Sequence, residues 1–250
     1  MPFDLTGKTA LITGASSGLG RHFAQVLARS GCAVAIAGRR RERLEAVQRE
    51  ILALGQRCVP VTLDVTVTLT LATAIDQAEA SLGPIDILVN NAGMNVQGRA
   101  TDLDPSSLDQ ILNTNLRAPF LLATEMARRM IARGKGGRII NIASIGAFRV
   151  LAGLSAYCMS KAGVAMMTQC LAREWARYGI NVNAICPGYI ATELNQDWFE
   201  SEAGKAQVKS FPRRQLMREE DLDEVLLLLA SDSSSAVTGA LFSVDDGQSL

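Results

Sequence analysis

The stretch that decides the fold is Lys8-Thr9-Ala10-Leu11-Ile12-Thr13, followed by Gly14-Ala15-Ser16-Ser17-Gly18-Leu19-Gly20. The first part has the length and apolar character of a buried strand, and behind the glycines a helical pattern runs on to Ala28. Gly14, Gly18 and Gly20 let the backbone turn sharply and approach a pyrophosphate, while the free N–H groups that open the next helix face it. Strand, glycine loop and helix in that order read as a phosphate cradle, with Ser16, Ser17 and Leu19 in its walls. The spacing is G-x-x-x-G-x-G, not the more familiar G-x-G-x-x-G, and a glycine-rich turn that holds no ligand would share it.

Outward from this unit the same alternation repeats. Short apolar runs at residues 32–37, 58–61, 85–89, 138–142, 180–185 and 240–244 are separated by helical patterns at 41–54, 67–82, 106–133, 156–178 and 219–230. Strands apolar on both faces and divided by helices predict a parallel sheet covered on both sides. The fold class expected is α/β, a single-domain Rossmann-type doubly wound parallel sheet with helices on both faces. No repeat or linker divides residues 1–250. Ligands in such sheets sit outside the carboxyl ends of the strands.

Composition excludes several kinds of partner. Of 250 residues, 25 are Lys or Arg and 25 are Asp or Glu, so no net charge is left for broad phosphate neutralisation and no nucleic acid is expected. No apolar run approaches the ~18 residues of a membrane span, and Met1-Pro2-Phe3-Asp4 does not open a signal peptide. Five cysteines, an odd number without a C-x-x-C pair, read as buried thiols in a reducing compartment, so the expected location is cytoplasmic. The single histidine, His22, removes a His-rich metal site and a histidine-based triad; it reads as surface or packing. No metal site is expected.

The end of the second strand bears on the cofactor. An NAD(H) site commonly has a carboxylate there for the ribose 2′-hydroxyl, whereas arginine suits a 2′-phosphate. Here the strand ends Ala37-Gly38-Arg39-Arg40-Arg41. These arginines could simply be a solvated helix start, yet cations at a helix N-terminus are disfavoured by ~0.3–1 kcal/mol each. A phosphate would offset that, so NADP(H) is preferred and NAD(H) is left open. Asp64 and Val65 follow the third strand, where Asp64 either bonds the adenine or caps the helix behind it. Asn90-Asn91-Ala92-Gly93 follows the fourth, where small residues let the chain pass beneath a cofactor; a ligand-free turn would look the same.

Reactive chemistry enters with Tyr157-Cys158-Met159-Ser160-Lys161, where residues four apart on a helix put an ammonium beside a phenol. A phenol titrates near 10, and a proton shuttle near neutrality needs about three units less, or ~4 kcal/mol. One unit charge about 4 Å away at an effective dielectric near 20 supplies ~4 kcal/mol, so Lys161, helped by an oxidised nicotinamide, would be enough. Alone, the pair is commonly structural. Ser144, ending the fifth strand, adds a hydroxyl that opens onto the same crevice.

The ordered set T-G-x-x-x-G-x-G, N-N-A-G, Ser144, Y-x-x-x-K and Pro187-Gly188 resembles the short-chain dehydrogenase/reductase family over essentially the whole chain. The resemblance implies an NAD(P)-dependent oxidoreductase moving hydride between nicotinamide and a ketone or secondary alcohol. It makes Tyr157 the general acid/base, Ser144 the group that orients the carbonyl, and Lys161 the residue that lowers the tyrosine pKa and bonds the nicotinamide ribose. Asn115 would support a water-linked proton relay, or merely kink the long helix. Pro187, Gly188, Ile190 and Thr192 fall in the segment that touches the nicotinamide, with Thr192 on its carboxamide, and Arg39 in the position associated with NADP(H).

The resemblance also implies a homotetramer built on helices 106–133 and 156–178, and a substrate lid over residues 193–212. Trp198 and Phe199 in that lid could equally pack on the sheet's rim. Two departures stand out: Asp245-Asp246-Gly247 where many relatives have Asp-Gly-Gly, and Met94-Asn95-Val96 after N-N-A-G, unlike fatty-acid-synthesis reductases. Ile145, Phe148, Val150, Leu151, Met94 and Tyr189 flank the reactive end and favour an apolar to mixed carbonyl or alcohol substrate. A 3-oxoacyl thioester is one candidate, with a polyol or sugar-acid dehydrogenase, or a non-catalytic dinucleotide-binding regulator, as alternatives. The basic group Arg128, Arg129, Arg133, Lys135, Arg138 and Arg173 reads as helix C-terminal charge, or as a dock for an acidic carrier or coenzyme A. Cys158 should point away from the site.

Overall fold

The structure is a computed structural model that describes residues 3–191 and 196–250. Its strands are β1 (Thr9–Thr13), β2 (Ala33–Gly38), β3 (Cys58–Thr62), β4 (Ile87–Asn90), β5 (Gly137–Ile142), β6 (Ile180–Pro187) and β7 (Leu241–Val244). They form one sheet in the order β3-β2-β1-β4-β5-β6-β7, with every neighbouring pair parallel.

Successive strand residues point to opposite faces, so both faces need cover. Leu11, Leu88, Ile139 and Val182 pack against helices α3 (Leu71–Leu82), α5 (Ala118–Arg133) and α6 (Ser155–Trp175), through Ile75, Met126, Leu171 and Trp175. Ile12, Ile36, Val89 and Ile185 pack on the other side against α1 (Gly18–Arg29), α2 (Arg41–Ala53) and α9 (Asp223–Ala230), through Phe23, Leu27, Leu44 and Leu226. Each fully buried aliphatic side chain contributes ~1.5–3 kcal/mol, and two such layers need no cross-link; all five cysteines are free. His22 is buried and joins α1 to the start of α9, its Nε2 lying 2.6 Å from Asp223 Oδ1.

The stretch 106–133, expected as one helix, is broken. Helix α4 (Pro105–Leu112) is joined to α5 by a π-helical turn at Asn113–Arg117. Pro119 explains it. Proline has no N–H to give the carbonyl four residues back, and its ring collides with that carbonyl, which here belongs to Asn115. The wider turn relieves the clash, and such turns recur at functional sites. The polar stretch 193–212 contains α7 (Gln196–Glu200) and α8 (Glu202–Ser210), separated by Ser201, whose hydroxyl caps α8 by accepting from Gly204 N at 3.1 Å.

Three of the six basic side chains, Arg129, Arg133 and Arg138, are taken up internally. Arg129 reaches Asp76 (2.7 Å), Glu79 (2.9 Å) and Glu125 (2.9 Å), and Arg133 bonds Glu79 (2.8 Å) and the Ile85 carbonyl (2.6 Å). Arg138 donates to the Ser231 carbonyl at 3.2 Å and lies 3.4 Å from Asp232. From β1 the chain builds β2 and β3 on one side, then crosses back to add β4 on the other. A crevice opens at that switch point, outside the carboxyl ends of the strands.

Candidate active site

A cleft of about 800 Å³ runs along this edge, from the glycine loop after β1 to the end of β6. Nearly every residue assigned above to cofactor binding or chemistry lines it. There are two exceptions: Asn115, buried beneath the floor, and Thr192, which lies outside the described residues.

The glycines shape the nucleotide end. Gly14 has φ +67°, and a Cβ there would stand 2.8 Å from Ala92 Cα; a Cβ at Gly20 would collide with the Gly14 carbonyl. Gly18 has φ +50° with open space around it, so the opening of α1 is bare toward the cleft. This is the cradle expected for a pyrophosphate. Beside it, Arg40 Nη2 donates to Ser16 Oγ (3.0 Å) and Ser17 Oγ (2.7 Å). Arg41 pairs along its own helix with Glu45 at 2.9 Å, while Arg39 and Arg40 face the cleft. Two guanidinium groups and a serine hydroxyl around Gly38 are the donors a 2′-phosphate takes. The residues present fit NAD(P) and carry no carboxylate at the strand tip.

Asp64 Oδ1 accepts from Thr66 N (2.9 Å) and Thr66 Oγ1 (2.7 Å), which holds its carboxyl below the usual range. It therefore closes a turn while still lining the cleft. The N-N-A-G segment divides its work. Asn90 points into the core and donates to Asn141 Oδ1 at 2.9 Å. Asn91 donates to the Thr13 carbonyl at 2.9 Å and braces the glycine loop, leaving Ala92 and Gly93 as floor. Thr13, which the sequence reading passed over, joins β1 to this segment: its hydroxyl accepts from Asn91 N (3.0 Å) and Ala92 N (3.1 Å). A polar residue at the last position of an otherwise apolar strand was the signal.

At the other end Ser144, Tyr157 and Lys161 converge. Ser144 Oγ accepts from Gly146 N at 3.0 Å and lies close enough to the Tyr157 hydroxyl to influence it. Lys161 Nζ lies 5.6 Å from the Tyr157 ring centre and donates to the Ile142 carbonyl at 2.7 Å. Burial lowers Lys161 to about 8. Burial likewise raises Tyr157 above its ordinary value, with the Ser144 hydroxyl opposing. The lysine therefore does not by itself give the lowered tyrosine expected from spacing, because desolvation acts on both groups. Cys186, behind this cluster, is pushed up to about 11 by burial and stays a neutral thiol.

Asn115 is tied to the same helix from below. Its Oδ1 accepts from Met94 N (2.8 Å), and its Nδ2 donates to the Met94 carbonyl (2.8 Å) and to Ser160 Oγ (3.1 Å). Ser160 in turn donates to the Tyr157 carbonyl at 2.7 Å. Asn115 thus lies in the π-helical turn and braces the helix of Tyr157 through Ser160. Pro119 lacks the N–H that the Asn115 carbonyl would take in an α-helix.

A strand-end serine facing a tyrosine one helical turn from a buried lysine, beside a glycine cradle, is an arrangement suited to hydride transfer. The sequence matches the family described as short chain dehydrogenase over residues 8–203. The protein is a short-chain dehydrogenase. As such it is an NAD(P)-dependent oxidoreductase acting between a ketone and a secondary alcohol. The short-chain dehydrogenase is 37% identical over 246 residues to a 2-dehydro-3-deoxy-D-gluconate 5-dehydrogenase of Escherichia coli (strain K12), covering 98% of this chain and 96% of that one. It is 35% identical over 248 residues to an NAD-dependent glycerol dehydrogenase of Listeria innocua, covering 99% and 96%. It also resembles the crystal structure of a gluconate 5-dehydrogenase from Burkholderia cenocepacia J2315 in complex with NADP and tartrate: TM-score 0.94, 35% identity, coverage 98% and 96%.

The substrate end of the short-chain dehydrogenase is mixed. Ile145, Leu151, Met94 and Tyr189 line the cleft as expected, whereas Phe148 and Val150 are exposed and lie outside its lining. Asn95, Gln110 and Thr114 add a polar wall that the sequence reading missed, because they sit on separate loops and helices. Phe199 is buried edge-on against Tyr189, with ring centres 5.8 Å apart, so packing is its role; Trp198 is partly exposed. Cys158 faces the Arg149 carbonyl at 3.9 Å and is not part of the lining.

Proposed function

We propose that this enzyme uses NADPH to reduce the keto group of a polyhydroxylated acid, and that it oxidises the corresponding secondary alcohol in reverse. The convergence of Ser144, Tyr157 and Lys161 at the end of a nucleotide-sized cleft carries this reading. In it, Ser144 uses a lone pair on Gly146 N and keeps its O–H for the substrate oxygen. Tyr157 donates the proton to the developing alkoxide. Lys161 supplies positive charge beneath the phenol and bonds the nicotinamide ribose, and Asn115 holds the base of the helix that carries both. The nicotinamide, when bound, supplies the hydride and, once oxidised, a positive charge that draws the tyrosine pKa down.

Substrate class is supported by the polar wall of Asn95, Gln110 and Thr114 and by the names of the relatives. The 3-oxoacyl thioester is less favoured. Of the basic group that would dock a carrier or coenzyme A, Arg128, Arg129, Arg133 and Arg138 are engaged with Glu125, Asp76, Glu79 and Asp232. Preference for NADP(H) over NAD(H) is supported by Arg39, Arg40 and Ser16 around Gly38. A non-catalytic dinucleotide-binding role has no use for the reactive set. A homotetramer packed through α5 and α6 fits the exposed Phe120, Met159 and Met166 on those helices. A cytoplasmic location fits five unpaired cysteines. Residues 1–250 act as one domain, with α7 and α8 covering the substrate end.

NADPH oxidation against 5-keto-D-gluconate, dihydroxyacetone, acetoacetyl-CoA and an aryl ketone tests the reading. The keto acid is expected to have the highest kcat/KM by at least about tenfold, the order of one good hydrogen-bonded contact. Highest kcat/KM on acetoacetyl-CoA would reject the substrate class, and no turnover of any of them would reject the activity.

A further inference from the structure

After β7 the chain makes a tight turn that packs against Gly188 and Tyr189 at the end of the reactive cleft. Asp245 is buried and closes the turn by accepting from Gly247 N (3.1 Å) and Ser249 N (3.1 Å). Asp246 has φ +54°, the left-handed region in which the family's glycine would be at ease. Strained backbone of that kind persists where surrounding contacts over-determine it. Here the contact is an ion pair, Arg213 Nε to Asp246 Oδ1 at 2.8 Å, on the segment that follows α8. Gln248 is buried, and its Oε1 accepts from Tyr189 N at 2.6 Å. The turn is pressed so closely on Gly188 that a Cβ there would lie 2.5 Å from that same oxygen.

Tyr189 is where floor and cover meet. It lines the cleft, and its carbonyl accepts from Met217 N at 3.0 Å. Its ring stacks on Phe211 with centres 5.4 Å apart and meets Phe199 edge-on. The Gln207 side chain neighbours the Tyr189 hydroxyl and accepts from Trp198 Nε1 at 2.8 Å. Both α7 and α8 are thus registered to the cleft through one residue whose backbone N–H is held by Gln248.

We propose that Gln248 is a positioning residue for hydride transfer: it fixes the backbone of Gly188 and Tyr189 along the cleft. The Asp246–Arg213 pair is the turn's second arm, holding the trailing end of the cover in the same register. The inference rests on the reading of the cleft as the site of hydride transfer. Misplacement of about 1 Å at a reacting centre costs on the order of a hundredfold in rate, so a residue that never touches substrate controls kcat through this backbone.

Gln248→Leu removes the acceptor and keeps the bulk, whereas Gln248→Glu keeps the acceptor. The first is expected to lower kcat about tenfold or more while NADPH Kd changes by less than about threefold, because the adenosine end is held elsewhere. Hydrogen exchange is expected to rise at residues 188–190 and 196–217 and to stay unchanged in β1 to β5. Gln248→Glu should restore most of the rate. Asp246→Gly should raise the ketone KM at constant kcat, and added salt should do the same for wild type. Unchanged kcat and exchange in Gln248→Leu would overturn the proposal, as would faster exchange throughout the sheet in both Gln248 variants. Wild type inactive on every ketone would instead count against the function proposed above, and the exchange data would still judge the positioning.

Discussion

Lys161 is expected to be a stability liability retained for chemistry, and Lys161→Met measures it. Lys161 is 5% exposed, and its ammonium is held from below by the Ile142 carbonyl at 2.7 Å. Burial brings its pKa from 10.5 to about 8. At 1.36 kcal/mol per unit, keeping the charge in the folded state costs about 3 kcal/mol below pH 8. The direction is fixed by the lowered value: the unfolded chain binds this proton more tightly, so wild type gains stability as pH rises from about 8 to 10.5. Methionine fills the same volume without charge and forfeits one charge-assisted hydrogen bond worth about 1.5–3 kcal/mol. Near pH 7 the variant should therefore match wild type or exceed it by up to about 2 kcal/mol. Its margin should shrink by about 3 kcal/mol on going to pH 10.5. Urea unfolding of both proteins without nucleotide, at several pH values from 6.5 to 10.5, reads this difference directly. A variant less stable by 2 kcal/mol or more near neutrality, with a gap independent of pH, would refute the reasoning.

Tyr157→Phe should reduce turnover at least about a thousandfold, the scale of general acid catalysis with its supporting charge, while NADPH binding measured by fluorescence is retained. Gly38→Asp should turn preference toward NADH by tenfold or more. A Cβ there meets only ordinary contacts at 3.5 Å to Leu44 and 3.6 Å to Ser16, so the cause would be carboxylate against phosphate rather than damage to the fold; paired kcat/KM values for the two cofactors check it. Asn115→Leu should lower kcat and cost about 2–4 kcal/mol of stability in urea unfolding, because it strips partners from Met94 and from Ser160 in the core. Size-exclusion chromatography with light scattering should find a tetramer, and a stable monomer at micromolar concentration would reject the packing of α5 and α6 between subunits.

Strand count, approximate bounds and parallel pairing follow from the apolar runs, because strands covered on both faces are dominated by apolar side chains, with Asn141, Asn181 and Asn183 as buried polar exceptions in β5 and β6. The cradle was legible for a related reason: glycines at 14, 18 and 20 occupy places where a Cβ would meet backbone or where φ is positive. Other features depend on contacts distant in sequence. Pro119 was visible, but that it opens a π-helical turn under Met94 and Ser160 depends on what packs there. The direction of the Tyr157 shift could not be read from a four-residue spacing, which gives a charge and a distance but no desolvation. Gln248 carries no local signal at all. Its role exists only because the turn after β7 lies against Gly188.

The most direct test of hydride transfer in this cleft follows a deuterium label from the nicotinamide C4 of NADPH into the alcohol formed from the best ketone of the panel. The account predicts one deuterium on the carbinol carbon from one of the two C4-deuterated epimers, and none from the other. An alcohol without label from either epimer, or label exchanged into water, would contradict it.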